Sequence, residues 1–170
     1  MGAGRASGRS AERGRDGRRY GQPRRAPAAH PYSQRAMSAA DLVDAYVTGL
    51  PGETRRLSPT QWGITVEADA AAGFPLDVGL RLVDQMLRAQ AFVTAHHEML
   101  DPWLFLNWNR QTRLVRFGAA RNGDIWINGD LHVAALDEPS VDRLLGLVAE
   151  AALVGRRYAT AARAATPSPN

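Results

Sequence analysis

The hydrophobic pattern changes period several times along the chain. After Met37, Ser38 is placed to cap a short helix in which Leu42, Val43, Tyr46 and Val47 recur at helical spacing, and Gly49 and Pro51 end it. Residues 49–61 are rich in Gly, Pro, Ser and Thr and read as a linker. Trp62-Gly63-Ile64-Thr65-Val66 then reads as a short strand. From Pro75, Leu76, Leu80, Val83, Leu87 and Ala91 repeat with the period of one buried helical stripe, and the polar residues fall mostly opposite. This spacing predicts a helix from 75 into the nineties, with Ala91 to Thr94 also compatible with the start of a strand.

Residues 103–109 (WLFLNWN) are a short apolar run of ambiguous type. Asp101-Pro102 supplies a cap and a first turn, while the aromatic and branched content favours a strand, which is the reading taken here. As a strand it would carry apolar bulk on both faces. One face would lie under helices, and the other would need a partner, a second protomer or a peptide, unless the chain's own helices covered both. Thr112 to Phe117 alternates, the Arg121-Asn122-Gly123-Asp124 turn follows, and Ile125-Trp126-Ile127 completes a hairpin. Asp137 to Ser140 caps a long final helix with Val141, Leu144, Leu145, Val148, Ala151 and Ala152 on its apolar face. The order is helix, short strand, helix, two or three antiparallel strands, helix. This predicts an α+β fold, a small antiparallel sheet packed by helices on one face. The expected organisation is an Arg-rich arm over 1–36, a short helix and linker over 37–57, an α+β domain over 58–163, and a tail over 164–170.

Charge changes the picture only when it is divided along the chain. The 170 residues carry a formal charge of +4, and every basic residue is Arg. Residues 1–36 hold nine Arg against Glu12 and Asp16, a net of +7, which leaves the remainder at −3. With Tyr20 and Tyr32 as its only aromatics, the arm has too little apolar surface to offset chain entropy and is expected to be disordered. Such an arm could bind nucleic acid through phosphates, with Arg113, Arg116 and Arg121 assisting. The competing reading takes Met37, followed at once by a helix-start signature, as the native start.

The chain contains no Cys, which excludes disulfides, thiolate metal sites and cysteine nucleophiles. No run is apolar for long enough to span a bilayer and no secretory signal is present, so a cytoplasmic protein is expected. His96-His97-Glu98 reads as a solvated helix end, since adjacent histidines do not share a helical face. Ser140 reads as a cap, and G-x-S-x-G and phosphate-loop contexts are absent. Carboxylate pairs such as Asp77 with Asp84 sit where helix starts and solvent faces put them. No catalytic, metal or cofactor site is therefore assigned. The informative residues are the aromatics and arginines: Trp103, Phe105, Trp108, Arg113, Arg116 and Trp126 are the candidate partner contacts, with Arg113 and Arg116 on the outward parity of the hairpin.

The segments LNWNRQTRLVRF, NGDIWINGDL and VDRLLGLVAEAA together resemble the C-terminal half of the YbjN family and the related type III secretion chaperone-like domains of actinobacteria. The resemblance rests on Asn107-Trp108-Asn109-Arg110 ending an apolar segment, a turn at Asn122-Gly123-Asp124, and the closing amphipathic helix. The upstream GFPLDVGLRLVDQMLRAQAFV is similar to a helix of the actinobacterial members. The resemblance implies a chaperone-like α+β fold, often dimeric, that holds peptide segments of partner proteins, without enzymatic activity or cofactor. The chain departs from longer members in having only about 40 residues between the linker and Asp101, too few for a three-stranded first sheet plus a helix.

Overall fold

The structure, a computed structural model, describes residues 37–71 and 73–165. The expectations for the arm at 1–36 lie outside the described residues. The elements are α1 (Ala39–Thr48), β1 (Glu53–Ser58), β2 (Gln61–Val66), β3 (Leu76–Val83), β4 (Met86–Thr94), α2 (Pro102–Trp108), β5 (Val115–Ala119), β6 (Ile125–His132), a 3-10 turn (Val133–Ala135) and α3 (Glu138–Ala164). The six strands form one sheet in the order β1-β2-β3-β4-β6-β5, and every neighbouring pair is antiparallel. The α+β class with helices on one sheet face is what the pattern predicted.

Three local expectations are corrected. The stretch from Pro75 is not a helix but the β3–β4 hairpin. Leu76, Val78 and Leu80, then Leu87, Ala89, Ala91 and Val93, alternate inward with a period of two. A helix would have turned Val78 and Ala89 away from the stripe. Asp84 and Gln85 join the strands in a two-residue turn with φ of 50° and 62°, a left-handed pair usually supplied by Asn-Gly, so the break was hard to read. Residues 103–109 are not a strand: Asp101 caps α2 by accepting from the Trp103 N–H at 2.9 Å, and Pro102 opens the first turn. The supposed linker contains β1, which pairs with β2 from Glu53↔Thr65 to Ser58↔Gln61 with a register shift between Arg56 and Ser58. An edge strand of Glu, Thr and Arg carries little hydrophobic alternation to detect. With linker and helix both turned into strands, the span before Asp101 accommodates four strands. His96 and His97 accordingly follow β4 in a loop, not a helix end.

Directly paired residues share a face. One row runs Trp62, Leu80, Ala89, Gly129, Val115, and the next Ile64, Val78, Ala91, Ile127, Phe117. These rows are buried under α3 and α1. The helix lies close because it meets the sheet at glycines. A Cβ on Gly155 of α3 would stand 2.5 Å from Val93 Cγ1, and one on Gly129 of β6 would stand 2.6 Å from Leu144 Cδ1. The other sheet face is polar: Arg55 pairs with Asp77 at 3.2 Å and Arg88 with Asp130 at 2.7 Å.

Two clasps fix the periphery. The α1 residue Asp44 accepts from Trp62 Nε1 at 2.8 Å and pairs with Arg56 at 3.2 Å, while the Tyr46 hydroxyl donates to Asp142 of α3 at 2.7 Å. Burial, reinforced by the Asp142 carboxylate, pushes the Tyr46 phenol above its ordinary range. Arg156, only 3% exposed, donates to the carbonyls of Phe74 at 2.9 Å and Pro75 at 3.1 Å and stacks on the Phe74 ring at 4.1 Å. Burial lowers its pKa. Carbonyl oxygens, not a carboxylate, solvate this cation and fasten the loop before β3 to α3.

Gly155→Ala should therefore destabilise the domain by about 1–3 kcal/mol, since the added methyl has no room between helix and sheet. Urea unfolding followed by circular dichroism measures this, and an unchanged midpoint would show that the helix is not seated as described.

Candidate functional site

The six candidate residues fall in different surroundings. Phe105 is 3% exposed and belongs to the core. Trp108 is half-buried in an aromatic cluster, edge-on to Phe105 at 5.4 Å and to Tyr158 at 5.7 Å, and tilted against Phe117 at 5.7 Å. Trp103, in the first turn of α2, is 74% exposed. Trp126 lies on the polar sheet face, where it meets Phe92 edge-on at 5.4 Å. Arg113 and Arg116 do not share an outward parity: Arg113 precedes β5 in an exposed turn, whereas Arg116 is in the strand. The Arg116 guanidinium donates to the carbonyls of Val115 at 2.6 Å and Thr112 at 2.8 Å, which engages it within the chain.

Trp108 and Arg113 come together in a groove of about 450 Å³ between the α2–β5 connection and α3. Its floor includes Trp108, Val115 and Phe117; its far wall is the outer side of α3, with Arg143, Leu147, Glu150 and Val154. Those four residues recur at intervals of four, three and four, so they form one stripe turned away from the sheet. The inward pattern of Val141, Leu144, Val148 and Ala152 was legible in the sequence. The outer stripe was not singled out, because Arg and Glu on an exposed side read as a solvated face.

The groove runs beside β5, an edge strand whose outward backbone is already occupied. The Asn109 side-chain amide donates to the Phe117 carbonyl at 3.0 Å and accepts from the Phe117 N–H at 2.7 Å, as a neighbouring strand would. The Val115 carbonyl accepts from the Thr112 hydroxyl at 2.6 Å as well as from Arg116. Asn109 is the second Asn of the Asn-Trp-Asn-Arg step, and its work is to close the edge. A partner in this groove therefore meets side chains rather than a free strand edge.

The described residues contain no group of three His, Asp or Glu arranged to hold a metal. His97 and His132 each accept a backbone N–H through Nδ1, from Met99 at 3.2 Å and Ala134 at 3.0 Å. No helix among them is long and apolar enough to cross a membrane.

Comparison with solved structures agrees on this architecture. The Yersinia pestis type III secretion chaperone SycH, in complex with a fragment of YscM2, aligns with a TM-score of 0.51 and 13% identity over 69% of this chain and 98% of that one. The HopA1–SchA chaperone–effector complex gives 0.55 and 11% over 68% and 91%. YbjN from E. coli gives 0.55 and 11% over 73% and 92%. The chain has the type III secretion chaperone-like fold. No family model matches it, and no curated protein matches it by sequence.

Asn109→Ala should cost about 1–3 kcal/mol, because it strips both partners from the part-buried Phe117 peptide groups. Urea denaturation reads this loss, and a change below about 0.5 kcal/mol would show that water replaces the amide at the edge.

Proposed function

We propose that this chain is a cytoplasmic, non-enzymatic, chaperone-like module that binds protein, and that the groove between α3 and the α2–β5 connection receives the bound segment. The observation that carries this reading is the composition of the groove. It combines an aromatic and aliphatic floor with Arg113, Arg143 and Glu150, none of which takes part in an ion pair among the described residues. Apolar anchors inside a charged rim are the general make-up of protein interfaces. On the polar sheet face Arg55 is matched by Asp77 and Arg88 by Asp130, which leaves Arg81 there without an ion pair among the described residues.

The fold supports the same reading, since the similar structures include chaperones held in complexes with protein partners. A partner would be a peptide segment of another protein or a second copy of this one. Among the candidate contacts, Trp108 and Arg113 take the central positions, and Phe105 acts through the core beneath them. Trp103, Arg116 and Trp126 are assigned no contact in this groove. Nucleic-acid binding gains nothing from Arg116, whose guanidinium serves the β5 edge.

The experiment is site-specific photocrosslinking in the full chain, with the photoreactive residue at position 147 in the groove or at position 81 on the polar sheet face. Protein adducts are expected at 147 and should fall about 5- to 30-fold when Arg113 is also changed to Glu, equivalent to the ~1–2 kcal/mol of an interface contact. Equal labelling at both positions, or none at 147, would overturn the reading.

A further inference from the structure

A hollow of about 280 Å³ opens on the polar face of the sheet, lined by Gln90, Gly118, Ala119, Ala120, Trp126 and Asn128. The strand register builds it. Phe92, Trp126 and Gly118 stand side by side on β4, β6 and β5, and Gln90, Asn128 and Arg116 form the next row. Trp126 therefore has Phe92 on one side, edge-on at 5.4 Å, and no side chain on the other. A Cβ on Gly118 would meet Asn128 Nδ2 at 3.7 Å, an ordinary contact, and nothing else within 4 Å, so the fold does not call for glycine there. Glycine weakens a strand and marks positions where a ligand or another backbone comes close.

Two amides complete the hollow. Gln90 and Asn128 are directly paired across β4 and β6, and neither side chain makes a hydrogen bond among the described residues. The Trp126 indole N–H makes none there either. An amide carries a donor and an acceptor side by side, which is how Asn and Gln hold the edge of a nucleobase, and an aromatic ring is the platform on which a base stacks. Trp126 and Asn128 are two residues apart on one strand, about 7 Å, so a ring lying on the indole can turn its edge to the amides.

The charges around the hollow favour a ligand with an anionic end. No carboxylate lines it. Arg121, which follows Ala120 in the exposed turn, has no ion pair among the described residues. The acid of that turn, Asp124, is taken up by the Asn122 amide at 2.7 Å and the His96 N–H at 3.0 Å. We propose that the hollow binds a nucleotide, its base stacked on Trp126 and edge-on to Gln90 and Asn128, with its phosphate at Arg121. The site lies on the opposite side of the sheet from α3 and is independent of the groove. A free mononucleotide and a base of a single strand present the same chemistry to it.

Calorimetric titration of the full chain with AMP tests the proposal. AMP is expected to bind one to one. Trp126→Ala, and Gln90→Ala combined with Asn128→Ala, should each weaken binding by about tenfold or more. Arg121→Ala should remove the advantage of AMP over adenosine. Gly118→Val fills the hollow and leaves every proposed contact group in place. It should abolish binding while the urea midpoint stays level or rises, because valine suits a strand better than glycine. A short oligoadenylate that binds more tightly than AMP, and with the same dependence on Trp126, would identify a single strand as the source of the base; equal affinities would identify the free nucleotide. A chain that binds neither would overturn the proposal, as would ribose 5-phosphate binding as tightly as AMP. Binding that survives both Trp126→Ala and Gly118→Val would also overturn it, since attraction to the arginines of residues 1–36 would behave in that way.

Discussion

The constraint on which the rest depends is the distance at which α3 lies on the sheet. That distance is set by two absent side chains, at Gly155 on the helix and Gly129 on β6. Because the helix is so close there, its next residue, Arg156, cannot reach water and turns instead to the carbonyls of the loop before β3. An uncompensated buried cation would be costly, and hydrogen bonds to several carbonyls are what make it tolerable. Two residues further on, the Tyr158 hydroxyl accepts the Asp101 N–H at 3.0 Å and its ring packs against Phe105 and Trp108. A single helix thus positions the sheet, the loop before β3 and α2. Both walls of the groove refer to the same rigid element.

A six-stranded open sheet leaves two edges and one face to protect, and each is protected differently. The β5 edge is closed by side chains, chiefly the Asn109 amide, which substitutes for a missing strand. The β1 edge is polar and irregular, with Glu53, Arg55 and Arg56 and a register shift, features that discourage edge-to-edge association. The uncovered face matches Arg55 with Asp77 and Arg88 with Asp130, and hydrogen bonding to Asp130 raises the pKa of Arg88 further. These exposed ion pairs add little stability individually. Their effect is to leave that face with few unmet charges, in contrast to the groove.

What the sequence disclosed follows from where the chain is half-buried. Helix α1, strand β2, the β5–β6 hairpin and helix α3 each present one apolar and one polar side, and all four were readable. The β3–β4 segment misled because leucines four residues apart satisfy a helix while the same positions also alternate, and its turn uses Asp84-Gln85 instead of the usual glycine. Helix α2 is only seven residues long, so its aromatic content outweighed its cap. The candidate contacts were chosen for residue type, which took in two residues that line the groove, Trp108 and Arg113, together with the buried Phe105. The α3 wall escaped notice because it differs from solvated surface only in lining a groove without an ion pair among the described residues, a property of three dimensions.

Identities of 11–13% alongside a shared architecture indicate what this fold requires of a sequence. Alternation along the strands is satisfied by many apolar residues, and helix α3 needs a small residue only where it touches the sheet. Those demands fall on the inner face, leaving the outer side of α3 and the turn at Arg113 free to vary without loss of the fold. On the proposed reading, binding preference in this chain is carried by residues that contribute least to folding. Charges without an ion pair among the described residues, at Arg113, Arg143 and Glu150, are what that division of labour would leave visible: they add little to the fold of the isolated chain and are available to another surface.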